Sequence, residues 1–488
     1  MKKIAIWGIA GAGKTTFLSR LLKGEEKIDG LPKFTKENTY CISFSRMARY
    51  SLESKLQDDW KVYTFHSFCA KLLLQNDKFK VLKHNLLSQF FTSRGFGAIE
   101  YETSDEYSFN DHIYSDINKY RLLDITPEEY YERTDIEKTP ALEEMSMHEW
   151  VKLCNDFQEY MNMHGLDYTE TLRRAINIKI HIPVLVVDEA NDLSPIMWKL
   201  INVWKIDNLL LVGDPNQNIY EFAGSKPDFL ASVKPIYELT TSYRVPENIL
   251  QYACNYLVFP FSGKIKGQNT GVLEFIDDYA SVVNRYLQKH KQDKQTSMYL
   301  LTFTRKKARE YHSKLLQADV PHKLFNESPV PAMSKRLFIL YHYPDLLTLY
   351  DLKQILSVSP YPNKTKLIAS MPKNNTYLQM TKALKINIFK SVIEYLQKLK
   401  PEQFKLKDKD KDWYYQIEKN PKWISTHVNL NISTIHSVKG GESDIVYVDF
   451  NYPKRYAYSD EYLKRVYYVA CTRAKKELYI NPSTELHV

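Results

Sequence analysis

Apolar residues along the chain gather in short, largely β-branched runs, each closed by a cluster of polar residues or glycine. Ile4-Ala5-Ile6-Trp7, Tyr40-Cys41-Ile42-Ser43-Phe44, Val184-Leu185-Val186-Val187, Leu209-Leu210-Leu211-Val212, Tyr299-Leu300-Leu301-Thr302-Phe303 and Ile445-Val446-Tyr447-Val448 are of this kind. A run without polar alternation predicts a strand buried on both faces, as in a parallel sheet covered by helices. Stretches of helical period stand between them, Arg305 to Leu316 among them. The predicted class is therefore α/β, with ligands received at the carboxyl ends of the strands. Two stretches break the alternation. Asn76 to Ala175 has helical spacing and no such run, and its part from Ala98 to Glu149 is acidic. Pro331 to Ser425 is rich in Lys, Tyr and Leu and holds the run KDKDKD at Lys407 to Asp412, which reads as a solvated loop.

Length changes this picture by multiplying it. A chain of 488 residues exceeds one core and predicts two to four domains of about 100 to 200 residues each. The formal charge of +9 is compatible with a polyanionic partner without requiring one. The five cysteines, Cys41, Cys69, Cys154, Cys254 and Cys471, have neither paired zinc spacing nor the density of a disulfide framework. The first residues lack the pattern of a signal peptide, and no run of about 18 uncharged apolar residues is present. The expectation is a cytoplasmic protein with no membrane partner.

The first run opens onto GIAGAGKT, Gly8 to Thr15, followed by an apolar-periodic stretch from Thr16 to Leu22. Strand, glycine-rich turn and helix in that order form a phosphate-binding loop. Gly8, Gly11, Ala12, Gly13, Lys14, Thr15 and Thr16 are its candidate residues. The glycines let successive N–H groups turn toward one anion, Lys14 can reach the outer phosphates, and the Thr15 hydroxyl can hold Mg²⁺. A second signal, DEAND at Asp188 to Asp192, follows another buried run. An Asp-Glu pair alone is usually a solvated turn. After a buried strand, in a chain with a phosphate loop, Asp188 becomes a candidate Mg²⁺ ligand and Glu189 a candidate base for the water attacking the γ-phosphate. One strand later, GDPNQNIYEF places Gln217 for a γ-phosphate contact and Tyr220 and Phe222 for stacking.

These segments, with five more in order, resemble the UvrD/Rep-like branch of superfamily 1 helicases. The further segments are ISFSRMA (Ile42 to Ala48), TFHSFC (Thr64 to Cys69), TSYRVPENIL (Thr241 to Leu250), STIHSVKGGE (Ser433 to Glu442) and YYVACTRAKKELY (Tyr467 to Tyr479). The resemblance implies two RecA-like P-loop motor domains, each interrupted by a mainly helical insertion. The first comprises 1–75 and 176–235 with insertion 76–175, and the second comprises 236–330 and 426–488 with a shortened insertion 331–425. It implies an ATP-dependent 3′–5′ translocase on single-stranded DNA that unwinds duplexes, with ATP and Mg²⁺ as cofactors and single-stranded DNA and its duplex junctions as partners. Arg244 and Arg473 match arginines presented to the γ-phosphate from another lobe, so cleft closure would couple chemistry to motion. Tyr243 matches a base-stacking tyrosine and Glu442 an acid near the ribose. Phe44, His66, Tyr220, Phe222 and His436, with Lys439, match the nucleic-acid contacts.

Four departures accompany the match. The adenine-reading glutamine segment usual in the family is expected to be missing before the phosphate loop, and a less ATP-selective site is expected with it. Asn191 stands where Gln is usual, so a contact is expected to be remade through water or lost. Ala223 stands where Arg is common, and Gly440-Gly441-Glu442 lacks an apolar spacer. The acidic stretch is expected to lie off the DNA track, and to exclude the strand from one face, dock a basic protein partner or remain simply solvated. Otherwise a monomer or weak self-association is expected. The rival class is a nucleotide-switched DNA-binding protein without processive movement.

Overall fold

The computed structural model describes the chain except residues 58, 77–79, 98, 100–111, 135, 137, 222–223, 372–386, 426–427, 455–457 and 487–488. Phe222, Ala223 and part of the acidic stretch thus lie outside the described residues. Two compact units are present: Met1–Asp277 with Val438–Val488, and Asp278–Ser437.

The first unit is built on a six-stranded parallel sheet of β1 (Lys2–Gly8), β2 (Thr39–Ser43), β3 (Lys61–Thr64), β4 (His181–Asp188), β5 (Lys205–Gly213) and β6 (Pro235–Leu239). The spatial order is β3-β2-β4-β5-β1-β6. Successive side chains leave opposite faces, and each face meets helices. Ile4, Ile6, Val184, Val186, Leu210 and Val212 pack with Leu18 and Leu21 of α1 (Lys14–Leu22) and Leu52 and Leu56 of α2 (Arg46–Leu56). Ala5, Trp7, Ile42, Leu185, Val187, Leu209 and Leu211 pack the other way, with Phe65, Phe68 and Leu72 of α3 (Phe65–Asn76). Burial on both faces is why the central strands read as continuous apolar runs. Register sets the ends: Ser43 lies opposite Asp188, Asp188 opposite Val212, and Trp7 opposite Gly213. The loops after β1, β2, β4 and β5 therefore leave one edge side by side.

The rest of this unit includes the parallel pair β7 (Thr241–Pro246) and β8 (Lys266–Gln268), and the parallel strands Ser443–Asp449, Ala474–Ile480 and Val272–Phe275. The described part of the first insertion is helical, with one isolated bridge, Val81 to Leu166. Its helices His84–Thr92, Ile113–Leu123 and Met147–His164 enclose Phe90, Phe91, Ile117, Trp150 and Phe157. A capping box between Ser146 and Glu149 starts the longest of them.

The second unit holds the parallel strands Met298–Thr302, Leu430–Thr434 and Lys323–Leu324, and the helix Arg305–Gln317. Its helical part packs Leu337, Phe338, Leu352, Leu356, Trp413 and Trp423 into a core of its own. Here the solvated-loop reading of Lys407 to Asp412 is corrected: Asp408 begins the helix Asp408–Lys419, with Lys407 at its N-cap. Asp408 and Asp410 favour the positive helix start, and Trp413, Tyr414 and Ile417 supply a buried face. Among the described residues, no helix is long and apolar enough to cross a membrane.

Asp319 anchors the end of that helix, accepting from Trp423 Nε1 at 2.8 Å and Asn420 Nδ2 at 3.0 Å. Beside it, His322 Nδ1 donates to the Val320 carbonyl at 2.7 Å, leaving Nε2 to accept from His312 Nδ1 at 2.8 Å. Burial is the main cause that pushes His322 down to about 4 from 6.5, and His312 adds to it. As pH falls from about 6.5 toward 4, the unfolded chain takes up this proton before the folded one, so stability is lost across that window. Melting temperatures between pH 7.5 and 4.5 should fall less steeply for His322→Gln than for the unmodified chain. Equal slopes would show that this histidine pair is not the acid-labile element.

Candidate active site

The phosphate loop owes its shape to two left-handed glycines, Gly11 at φ +73° and Gly13 at φ +74°. Gly11 is also needed for space. A Cβ there would stand 2.6 Å from Ser242 Oγ and 2.7 Å from Arg244 Cβ. The segment after β6 is laced onto the loop: Ser242 Oγ donates to the Ala10 carbonyl at 2.8 Å, and Tyr243 N–H to the Gly11 carbonyl at 2.9 Å. Gly13 caps α1 without a side chain, and the first turn holds no acid. Its N–H groups are thus available to an anion. Buried Lys14 donates from Nζ to the Gly8 carbonyl at 3.1 Å, Ala12 is buried, and Thr16 is exposed.

At the end of β4, Asp188 is wholly buried and accepts from Thr15 Oγ1 at 3.1 Å. Burial, then the neighbouring Glu189, push its carboxyl up to about 7, against the pull of Thr15 and Lys14. Glu189 has φ 54° and ψ 44°, a left-handed conformation that costs a non-glycine residue about 1–3 kcal/mol. Its Oε2 is buried without a hydrogen-bond partner among the described residues, as is Nε of Arg244. An orphaned carboxylate oxygen, an orphaned guanidinium nitrogen, an uncapped helix start and a buried lysine fit a triphosphate. Thr15 Oγ1 and Asp188 Oδ2 are the hard oxygen donors that would hold its divalent cation.

The loop after β5 centres on a residue that the sequence reading passed over. Asp214, wholly buried, accepts from Asn216 N–H at 3.0 Å, Gln217 Nε2 at 2.9 Å and the Tyr468 hydroxyl at 3.3 Å. Burial raises its carboxyl above the usual range while Lys14 opposes the rise. Gln217 is thus positioned through Asp214. The signal was present, since Asp214 follows the last strand residue of β5 as Asp188 ends β4. Asn191 joins the two loops directly: its Oδ1 accepts from Asp214 N–H at 3.1 Å. Gly213 leaves room for that oxygen, since a Cβ there would lie 2.6 Å from it.

Arg244 and Arg473 lie in the unit that holds Lys14. Arg244 pairs with Glu442 at 3.7 Å, and Glu442 also meets Lys475 at 3.8 Å. Arg473, 1% exposed, donates to the carbonyls of Val469 at 2.9 Å and Gly441 at 3.1 Å, bracing the Gly440 turn. Tyr243 is 71% exposed beside the loop, free to offer a ring face. A cavity of about 310 Å³ opens beside Arg244, lined also by Pro246, Gln268, Lys475 and Lys476.

On the same edge, Phe44 and Tyr220 stack with centroids 5.8 Å apart and planes 16° apart. Lys439 lies 4.6 Å from the centre of the Tyr220 ring, and its ammonium is buried in a pair with Asp192 at 2.6 Å. Burial lifts the Asp192 carboxyl to about 6, and Lys439 restrains it. Lys439 therefore supports Tyr220 and is not a solvent-exposed cation. His66 is buried and packs edge-on against Tyr168. His436 belongs to the other unit, edge-on to Phe303 at 5.6 Å. Sequence reading also missed Arg465, 1% exposed, whose Nε donates to the Asn218 carbonyl at 3.0 Å.

Residues 1–238 match the UvrD/REP helicase N-terminal domain, and residues 363–485 match the UvrD-like helicase C-terminal domain. The chain belongs to the UvrD-like superfamily 1 helicase family, whose RecA-like motor domains have this parallel α/β architecture. A probable DNA helicase II homolog of Mycoplasma genitalium is 26% identical over 293 residues, 52% of this chain and 40% of that protein. The ATP-dependent DNA helicase UvrD2 of Mycobacterium tuberculosis is 31% identical over 90 residues, 17% of this chain and 13% of its own length. RecBCD enzyme subunit RecB of Chlamydia pneumoniae is 50% identical over 56 residues, 12% of this chain and 5% of that protein. The matched segment spans two fifths or less of each of these relatives.

Asn191→Gln restores the residue common in the family but adds one methylene at a wholly buried position. It should destabilise the protein by about 1–3 kcal/mol. Equilibrium denaturation in urea measures this, and an unchanged midpoint would show that the loop has room.

Proposed function

We propose that the chain is an ATP-driven motor that moves 3′–5′ on single-stranded DNA and opens duplexes at junctions, working in the cytoplasm. The carrying observation is the convergence of Lys14, Asp188, the orphaned Glu189 and Arg244 around an uncapped helix start, with stacked Phe44 and Tyr220 on the same sheet edge. The family relationship supports the substrate class.

In this reading the loop amides and Lys14 orient the triphosphate, and Glu189 Oε2 takes up the proton of the attacking water. A cation held by Thr15 and Asp188 would neutralise charge on the transferring phosphoryl oxygens. Arg244 leaves Glu442 for the γ-phosphate, where a planar guanidinium matches charge spread over three oxygens. Glu442 is then free for the ribose and Tyr243 for the base. Arg473 keeps the Gly440 turn in place and contributes positive charge from behind. Phe44, Tyr220, Phe222 and His66 hold unpaired bases. The acidic first insertion stays off that track.

Steady-state ATP turnover should rise about tenfold or more when oligo(dT) is added. Lys14→Ala and Glu189→Gln should each lower kcat by about 100-fold or more, with Glu189→Gln still binding nucleotide. Turnover indifferent to DNA would overturn the motor reading. Duplexes with a 3′ or a 5′ single-stranded tail then test direction: preferential opening of the 3′-tailed substrate is expected, and preference for the 5′ tail would reverse the polarity.

A further inference from the structure

The helix Asp460–Cys471 sends two buried polar side chains to opposite ends of the loop after β5. Arg465 and Tyr468 are three residues apart and so leave one face of the helix. Tyr468 is 0% exposed and Arg465 1%. The Tyr468 hydroxyl accepts from the Ala10 N–H at 3.1 Å and donates to Asp214 Oδ2 at 3.3 Å. The same oxygen of Asp214 accepts from Gln217 Nε2. One hydroxyl thus joins the phosphate-loop backbone to the acid that holds Gln217. A turn earlier, Arg465 donates from Nε to the Asn218 carbonyl and from Nη2 to Glu221 Oε1. Asn218 and Glu221 bracket Tyr220, whose ring stacks on Phe44.

These contacts are costly to build. A buried guanidinium pays desolvation, and replacing such groups with apolar ones often stabilises a fold. Here Nη1 of Arg465 has no hydrogen-bond partner among the described residues, with Glu461 no nearer than 4.0 Å. Stability alone is thus a poor reason for Arg465. What the two side chains provide is position: Asp214 is held at one end of a segment of eight residues, and Glu221 at the other.

The geometry points to this helix face as the element that couples the nucleotide site to the base-stacking loop. Arg465 and Tyr468 are positioning residues. They carry the segment Asp214 to Glu221 as one piece, so that a shift of the phosphate loop at Ala10 and Gln217 displaces Tyr220, and stacking at Tyr220 returns to Gln217. This inference rests on the reading of the chain as a DNA-stimulated ATPase.

The test compares Tyr468→Phe, Arg465→Lys and the double variant with the unmodified protein. ATP turnover is measured with and without oligo(dT), together with KM for ATP and Kd for the oligonucleotide. Each single variant should cut the stimulation ratio by about fivefold or more, with KM and Kd changed by less than about twofold. The double variant should be no worse than the weaker single one, as for two parts of one device. An unchanged ratio in Tyr468→Phe overturns the coupling role, and so does a fall that merely follows weakened binding of ATP or DNA. Should Arg465→Lys fail to fold, Tyr468→Phe decides, since it removes one oxygen atom. An unmodified protein without DNA-stimulated turnover overturns both this inference and the motor reading. Normal stimulation with an inert Tyr468→Phe overturns the inference alone.

Discussion

Register in the parallel sheet is the constraint on which the candidate site depends. Because all six strands run one way, every strand ends at the same edge, and Ser43, Asp188 and Val212 stand in line there. A slip of one residue in β4 would turn Asp188 to the other face and place Val187 where the acid is needed. The slip is opposed by two apolar sets. Val184 and Val186 belong to one covered face, and Leu185 and Val187 to the other. Packing of wholly apolar residues thus sets the position of every charged group at the edge.

Those charged groups are held at a cost that the core has to offset. Asp188, Asp192 and Asp214 are each buried, and desolvation is the main cause of the upward shift of each carboxyl. Lys439 compensates Asp192 directly, whereas Asp188 and Glu189 stand together with less compensation. Glu189 adds backbone strain and an unpartnered oxygen. Such tension is expected where a cation and a triphosphate complete a site, because ligand binding then relieves charge that the fold leaves exposed to itself.

Much of this was legible in the sequence, for physical reasons that also explain the gaps. Parallel strands declare themselves by apolar continuity, and a phosphate loop by glycines between a strand and a helix. The KDKDKD run misled because its charges alternate. The helical face that decides its structure, Trp413, Tyr414 and Ile417, begins only after the run. The motif matches Lys439 to a nucleic-acid contact, and nothing in its spacing shows that its ammonium pairs with Asp192, 247 residues away in the chain. Nor could spacing reveal that Tyr468 meets Ala10, 458 residues away. Such pairings arise from the packing of whole elements, and neither partner's neighbours in sequence carry the signal. Asp214 is the intermediate case, readable from its place after β5.

Rapid-quench, single-turnover hydrolysis by Arg244→Ala, at saturating ATP and oligo(dT), shows whether the edge formed by Lys14, Asp188 and Glu189 becomes a hydrolytic centre when Arg244 turns from Glu442 to the γ-phosphate. The chemical step should slow by about 100-fold or more, while affinity for ADP, which lacks that phosphate, changes by less than about twofold. An unaltered rate, or a loss of ADP affinity equal to the loss of rate, would contradict the account.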